Sequence, residues 1–154
     1  MIMNNYEVLS HFVAAAKLLT KKAFDSELDS PEVKIEPMNS FIQKAVQKLK
    51  QIDPNYFKGV RQIKVNSGTG FGFVESGPNK DPAVINLNLA KIENEVRSKG
   101  AGASPQQIEE AIVQALVETI SHEKGHISSY DPKFGFQGGE GPSTAEEQRI
   151  KNLI

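Results

Sequence analysis

The sequence predicts an α+β domain in which helices pack against one small sheet. Apolar residues recur every three or four positions near both ends of the chain, which is the period of a helix. Between residues 60 and 89 they tend to alternate with polar residues, which is the period of a strand. With 154 residues, 38% of them hydrophobic, the chain can bury a core without cross-links. We therefore expect one domain over residues 1–154, with a three-stranded sheet, mixed or antiparallel, and two helices before it.

The overall charge and the absence of Cys exclude several classes of function. Lys and Arg number 18 and Asp and Glu number 19, so the net charge of −1 gives no basic surface for nucleic acid or an anionic membrane. Because the chain has no Cys, disulfides, Cys-based zinc fingers, iron–sulfur clusters and thiol nucleophiles are excluded. Any metal site must use the three His, the carboxylates and the backbone.

No segment is predicted to span a membrane or to direct secretion. The most apolar early stretch, residues 8–19, is too short for a span and contains a His and a Lys. The paired Lys residues follow this stretch, whereas in a signal peptide the basic residues precede it. We therefore expect a cytoplasmic protein.

Two helices are predicted before the strands. Residues 4–24 place their apolar side chains on one face, and residues 40–52 do the same with Ser40 as the expected N-cap. The acidic connection between these helices contains two Pro and a short extended piece at residues 33–35.

Three strands are predicted in the middle of the chain, at residues 60–65, 71–75 and 83–89. Clusters of Gly, Asn, Ser and Pro separate them, as is typical of turns. A short helix, residues 90–99, is predicted to follow the third strand and to end at Gly100.

The strongest helical signal lies in the last third of the chain. Ser104 is followed by Pro at the first helical position, and the apolar pattern continues to about residue 128. Residues 130–142 contain four Gly and two Pro and are predicted to form a loop. Ser143 or Thr144 then caps a final helix through residue 154.

An HExxH motif, His122, Glu123 and His126, lies on the last turns of the long predicted helix. Residues four apart on a helix share a face, about 6 Å apart at Cβ, so both imidazoles can bind one Zn²⁺ ion at about 2.0–2.1 Å. Glu123 can reach a water molecule on the metal and accept its proton as general base. Two of the three His in the chain belong to the motif, which favours a metal site over a chance match.

A catalytic zinc site needs a third protein ligand and leaves a fourth position open. No His follows His126, so the ligand must be one of four downstream carboxylates, Asp131, Glu140, Glu146 or Glu147. Asp131 follows the motif too closely, and Glu140 lies in a Gly-rich loop that we expect to be too flexible for a ligand. Glu146 and Glu147 begin the final helix, which can fold back across the motif, although either can instead complete a capping box.

These residues resemble the gluzincin metallopeptidases, in which HExxH is followed by a helix that bears a Glu ligand. The resemblance covers about residues 104–154, and the short chain also resembles the minimal gluzincins and the HExxH proteins of the ImmA/IrrE type. It implies a zinc metallopeptidase whose third ligand is Glu146, 20 residues after His126. It also implies that a peptide or protein substrate binds in extended form along an edge strand, here residues 83–89.

The chain departs from the larger gluzincins, which carry a Tyr or His beyond the Glu ligand to stabilise the oxyanion. Seven residues follow Glu147, and none is Tyr or His. Tyr130 is the nearest candidate for this role, and Arg149 is the second. The first hypothesis is therefore a zinc metallopeptidase with Glu123 and Tyr130 as catalytic residues. The alternative is a non-catalytic gluzincin-like module that keeps the zinc ion; the intact Glu123 favours the peptidase.

Overall fold

The computed structural model of the protein describes residues 32–68 and 70–154. The helix predicted at residues 4–24 lies outside the described residues. Val33–Ile154 form one compact unit, and the prediction of a single domain over the whole chain stays a prediction.

Four helices and two small sheets make up the part of the chain that the structure describes. The helices are α1 (Ser40–Ile52), α2 (Leu89–Lys99), α3 (Pro105–Ser128) and α4 (Gly141–Lys151). The strands are β1 (Lys34–Glu36), β2 (Gln62–Val65), β3 (Gly72–Phe73), β4 (Val84–Leu87), β5 (Tyr130–Asp131) and β6 (Gly135–Phe136).

The main sheet is mixed and has four strands in the order β1-β2-β4-β3. β1, β2 and β4 are parallel, with Ile63 of β2 opposite Ile35 and Ile85, and β3 runs antiparallel to β4. The α+β class and the mixed form of the sheet are confirmed. The predicted count of three strands is wrong, because the extended piece near residue 34 pairs with β2 as a fourth strand.

The expectation that residues 83–89 form the edge strand is also wrong. β4 pairs with β2 on one side and with β3 on the other, and all four of its residues are buried. A strand whose two faces are both covered has a nearly continuous apolar run, as Val84, Ile85 and Leu87 show. Within the described residues, the edge on this side of the sheet is the short strand β3.

The helices begin and end close to their predicted positions. α1 spans Ser40–Ile52, but its N-cap is Asn39, whose Oδ1 accepts hydrogen bonds from the backbone N–H of Phe41 and Ile42. α3 begins with a capping box between Ser104 and Gln107. α4 spans Gly141–Lys151, and its N-cap residue is Glu140. The prediction that Ser143 or Thr144 caps a helix through residue 154 is therefore wrong by a few residues at each end.

The hydrophobic core lies between the sheet and the helices α1 and α3. Its most deeply buried side chains come from all of these elements and include Ile42, Leu49, Ile63, Ile85, Ile112, Leu116 and Ile120. Within the described residues, no helix combines the length and the apolar character needed to cross a membrane.

α4 packs closely against α3 at Gly125, which lies inside the HExxH motif. A Cβ atom added at Gly125 would lie 2.4 Å from Ser143 Cα and 2.6 Å from the carbonyl oxygen of Pro142. Only glycine therefore lets the first turn of α4 rest on the motif helix, which places Glu140 and Glu147 beside the two His.

Changing Gly125 to Ala is expected to lower the free energy of unfolding by about 1–3 kcal/mol, as overpacking of a tight contact does. At an exposed helical site the same change is stabilising by about 1 kcal/mol, so the expected sign is reversed here. Urea denaturation of the two proteins measures the difference. Gly141→Ala is the matched control, because a Cβ there meets nothing within 4 Å. A Gly125→Ala protein as stable as the wild type would show that α4 does not sit this close to α3.

Candidate metal centre

The two motif histidines lie side by side on α3, with ring centroids 5.2 Å apart. Both Nε2 atoms lie close to Glu140, whose Oε2 is 3.0 Å from His122 Nε2 and 3.5 Å from His126 Nε2. One ligand atom from each residue lies within 4.8 Å of the others. These three side chains form a group that can hold a metal ion.

Glu140 reaches the histidines from the residue just before α4. Gly138 and Gly139 adopt φ of +79° and +56°, a left-handed conformation that glycine takes without steric cost and that turns the chain toward α3. The buried Ser143 Oγ donates a hydrogen bond to the Glu140 carbonyl at 2.9 Å and lies 3.3 Å from its Oε2. The Gly-rich loop, which we expected to be too flexible to hold a ligand, thus places Glu140 near the two histidines. The Glu140 side chain is still 75% exposed.

Glu147 lies on the opposite side of the His122 ring. Its Oε2 is 3.0 Å from His122 Nδ1, and its Oε1 forms an ion pair with Lys151 at 2.7 Å. Burial raises the pKa of Glu147, but the hydrogen bonds from Lys151 and His122 outweigh burial and leave that pKa below its ordinary value. A charged Glu147 accepts the Nδ1 proton of His122 in a hydrogen bond, which leaves the lone pair on Nε2.

The donor set of this group fits a divalent cation. With Nδ1–H directed to Glu147, the Nε2 lone pair of His122 faces a Glu140 carboxylate oxygen at 3.0 Å. Two acceptors at that separation need a proton or a cation between them. Burial lowers the pKa of His126 below its ordinary value, so that imidazole stays neutral and can offer its lone pair to a metal. Two imidazole nitrogens and a carboxylate are a ligand set that zinc accepts.

The structure does not bring Glu146 to the histidines. Arg149 donates hydrogen bonds to both Glu146 carboxylate oxygens, at 2.9 and 2.8 Å, and lowers the pKa of that carboxyl. Successive residues on a helix point about 100° apart. Since Glu147 faces His122, Glu146 faces away, toward Arg149. The guanidinium of Arg149, the second candidate for the oxyanion role, is therefore engaged by Glu146.

The region predicted to be a loop contains a hairpin, β5 and β6, that packs beside His126. Tyr130 places its ring 5.2 Å from that of Phe136, which in turn lies 6.2 Å from the His126 ring. Among the described residues, the Tyr130 hydroxyl has no hydrogen-bond partner. Asp131 accepts hydrogen bonds from the backbone N–H of the next turn residues, Lys133 and Phe134, and so serves the hairpin rather than the metal group.

Glu123 lies in the space between α3 and the edge strand β3. Its side chain is 6% exposed, and it forms no hydrogen bond with any residue that the structure describes. A Cβ atom at Gly72 would lie 3.2 Å from Glu123 Cγ and 2.9 Å from Thr119 Cγ2, so glycine allows β3 to cover this carboxyl directly. Burial raises the pKa of Glu123 to about 7; the charge on His122 opposes this shift and that on Glu140 adds to it.

In the metal-free protein, Glu123→Gln is expected to raise the free energy of unfolding at pH 8 and to change it little at pH 5. The pKa of about 7 in the folded protein exceeds the ordinary value of 4.5, so between these values the folded state holds a proton that the unfolded chain releases. Stability is therefore lost as the pH rises, by about 3 kcal/mol in full, and a neutral Gln avoids that loss.

Urea denaturation in chelator at the two pH values measures this difference. The control is Glu109→Gln, at an exposed position of the same helix. We expect its effect on the free energy of unfolding to be the same at pH 5 and pH 8. An equal effect of Glu123→Gln at pH 5 and pH 8 would contradict the buried, protonated state of Glu123.

A cleft of about 540 Å³ opens beside the metal group. One end of the cleft is lined by His122, Glu123 and Glu147. Another part is lined by Gly72 of β3 and by Phe71, the residue just before β3. Its remaining walls are formed by α2 and the middle of α3. The buried carboxyl of Glu123 therefore borders a cavity of the size that small ligands occupy.

Comparison with known proteins gives no family for this chain: no protein-family model, no curated protein and no solved structure matches it. The likeness to the gluzincins thus rests on the motif. Function must be argued from the site itself, because a fold alone does not determine chemistry.

Proposed function

We propose that the protein is a zinc-dependent hydrolase of peptide bonds, with Glu123 as its general base. One observation carries this proposal: two imidazole Nε2 atoms and a carboxylate converge next to a buried carboxyl that has no hydrogen-bond partner among the described residues. A structural zinc site needs only its ligands. A buried carboxyl that lowers stability at neutral pH serves no purpose there, whereas a hydrolase needs a base in this position.

The ligands in this proposal are His122, His126 and Glu140, and Glu147 is a positioning residue. The distances to Glu140 Oε2 support the ligand set. The hydrogen bond at His122 Nδ1 supports the role of Glu147, since metal-binding His residues are commonly oriented by a carboxylate on their other nitrogen.

A zinc ion held by this group would supply Lewis acidity next to the substrate carbonyl. Glu123 accepts a proton from the attacking water as the C–O bond forms, and it gives that proton to the amine nitrogen as the C–N bond breaks. In the metal-free protein, burial raises the pKa of Glu123 to about 7. A zinc ion at the neighbouring group would lower that pKa and so favour the charged carboxylate that accepts the proton. β3 covers one side of Glu123, and the cleft borders another.

The substrate in this proposal lies along β3 rather than along residues 83–89. Among the described residues β3 pairs only with β4, so its other edge has unpaired backbone groups, and Gly72 lies directly over Glu123. An extended peptide can add to such an edge by main-chain hydrogen bonds, which brings a backbone carbonyl close to the metal group.

A non-catalytic zinc-binding module is the second candidate, and one observation favours it. Arg149, the second predicted oxyanion residue, is engaged by Glu146, and the ring of Tyr130, the first, packs against Phe136.

Cleavage of a defined peptide mixture distinguishes the two candidates. The full chain is stripped with chelator, incubated with unstructured peptides with and without added zinc, and its products are identified by mass spectrometry. The hydrolase predicts cleavage only after zinc is restored, its loss in His126→Ala, and its retention in His11→Ala, a control outside the motif. One bound zinc ion per chain without cleavage would instead establish the non-catalytic module.

A further inference from the structure

We propose that the groove between α2 and α3 selects a large apolar side chain of the substrate, at a residue next to the bond that is cut. In this proposal, Val96 and Ala115 set the size of the side chain that fits. The inference rests on the proposed hydrolase function and adds the class of substrate residue.

The groove is continuous with the metal group. The α3 residues that line it recur at helical spacing, so that Ala115, Thr119 and Glu123 are each four residues apart on one face. Ile92 and Val96 of α2 face them from the opposite wall. A substrate residue whose carbonyl lies at His122 and Glu123 therefore has this groove within reach of its own or its neighbour's side chain.

Away from the metal group and Glu123, polar side chains of the groove are already engaged by partners in the protein. Thr119 Oγ1 donates a hydrogen bond to the Ala115 carbonyl at 2.8 Å, and Glu95 forms an ion pair with Lys99 at 2.6 Å. Glu118 accepts a hydrogen bond from Gln114 at 3.3 Å. What is left for a ligand is mainly apolar surface, from Ile92, Val96, Ala115 and Phe71. Such a surface favours an apolar occupant.

The size and charge of the groove further restrict which substrate side chains can occupy it. A volume of about 540 Å³ leaves a small side chain such as that of Ala poorly packed, whereas Phe or Leu buries much more apolar area. Glu118 and Glu147 lie in its walls, so an acidic side chain would meet repulsion from both carboxylates. We therefore expect peptides with Phe or Leu at this position to bind most tightly, those with Ala to bind more weakly, and those with Glu to bind most weakly.

Two measurements with the full chain test the selection. Binding of five fluorescein-labelled octapeptides, identical except for a central Phe, Leu, Ala, Lys or Glu, is measured by fluorescence anisotropy in chelator, where no zinc-dependent turnover occurs. Cleavage of the same peptides by the zinc-loaded protein then locates the cut by mass spectrometry. The Phe and Leu peptides are expected to bind about tenfold or more tightly than the Ala peptide, and to be cut next to Phe or Leu.

Variants link this preference to the groove. Ala115→Leu fills part of it and is expected to weaken binding of the Phe peptide about tenfold, with a much smaller effect on the Ala peptide. Val96→Phe does the same from the other wall, and it replaces Ala115→Leu if that variant fails to fold. Ala111→Leu is the matched control, because Ala111 is an exposed residue one turn earlier on α3 that does not line the groove.

The outcomes separate the two proposals. Selective binding that Ala115→Leu abolishes supports the groove even if no peptide is cut, in which case only the hydrolase proposal fails. Cleavage with no preference for Phe or Leu, or with a preference that neither groove variant alters, overturns the groove proposal and leaves the hydrolase standing. Tightest binding of the Lys peptide also overturns it.

Discussion

Glu123→Gln is expected to lower zinc-dependent peptide cleavage by roughly two to four orders of magnitude, the usual worth of a positioned general base. Gln has the size and shape of Glu but cannot accept a proton from the attacking water. Because Glu123 belongs neither to the His122–His126–Glu140 group nor to the hydrogen bonds around it, zinc affinity should stay within about twofold. The rate is measured with a peptide that the wild type cleaves, and zinc content is measured on the same samples.

Glu109→Gln provides the control for this rate measurement, since it makes the same chemical change at an exposed position of α3. Its cleavage rate and zinc content are expected to equal those of the wild type. Wild-type cleavage that Glu123→Gln leaves unchanged would refute the assignment of Glu123 as the base.

Glu140→Gln is expected to weaken zinc binding by more than about 100-fold, beyond the range seen when a residue outside the ligand shell is changed. Glu147→Gln should weaken it by about 10–100-fold, because His122 loses the carboxylate that orients it. Glu146→Gln should leave the affinity unchanged, since this carboxylate is bound to Arg149. Competition with a chromophoric chelator measures the three affinities.

These three variants make the same change within eight residues of chain, so each serves as a control for the others. A large loss in Glu146→Gln with none in Glu140→Gln would contradict the ligand set. It would mean that α4 turns about its axis when the ion binds.

The sequence predicted the parts of the fold that depend on neighbours along the chain. α1 has the predicted bounds, and α3 begins at Ser104 and Pro105 as expected, because caps and helical periodicity are local. The order of the strands could not be predicted in the same way. β1 lies more than 20 residues from β2, and which strand lies at an edge depends on non-local pairing that no local pattern encodes.

The same distinction between local and non-local interactions applies to the candidate site. His122, Glu123 and His126 occur on one helix, so their juxtaposition follows from helical spacing alone. Which carboxylate lies nearest to the two histidines depends on how a separate helix, α4, packs on α3. That packing is set by Gly125 and by the left-handed Gly138 and Gly139, whose conformations come from tertiary structure. Gly125 inside the motif helix is a sequence signal that can mark such a close approach, and the prediction of Glu146 did not use it.

Diffraction from crystals of the zinc-loaded full chain, collected on both sides of the zinc absorption edge, tests the metal centre most directly. We expect one anomalous peak per chain, within about 2.0–2.2 Å of His122 Nε2, His126 Nε2 and a Glu140 carboxylate oxygen. A peak bound by Glu146, or crystals grown in excess zinc that show no peak at the two histidines, would contradict it.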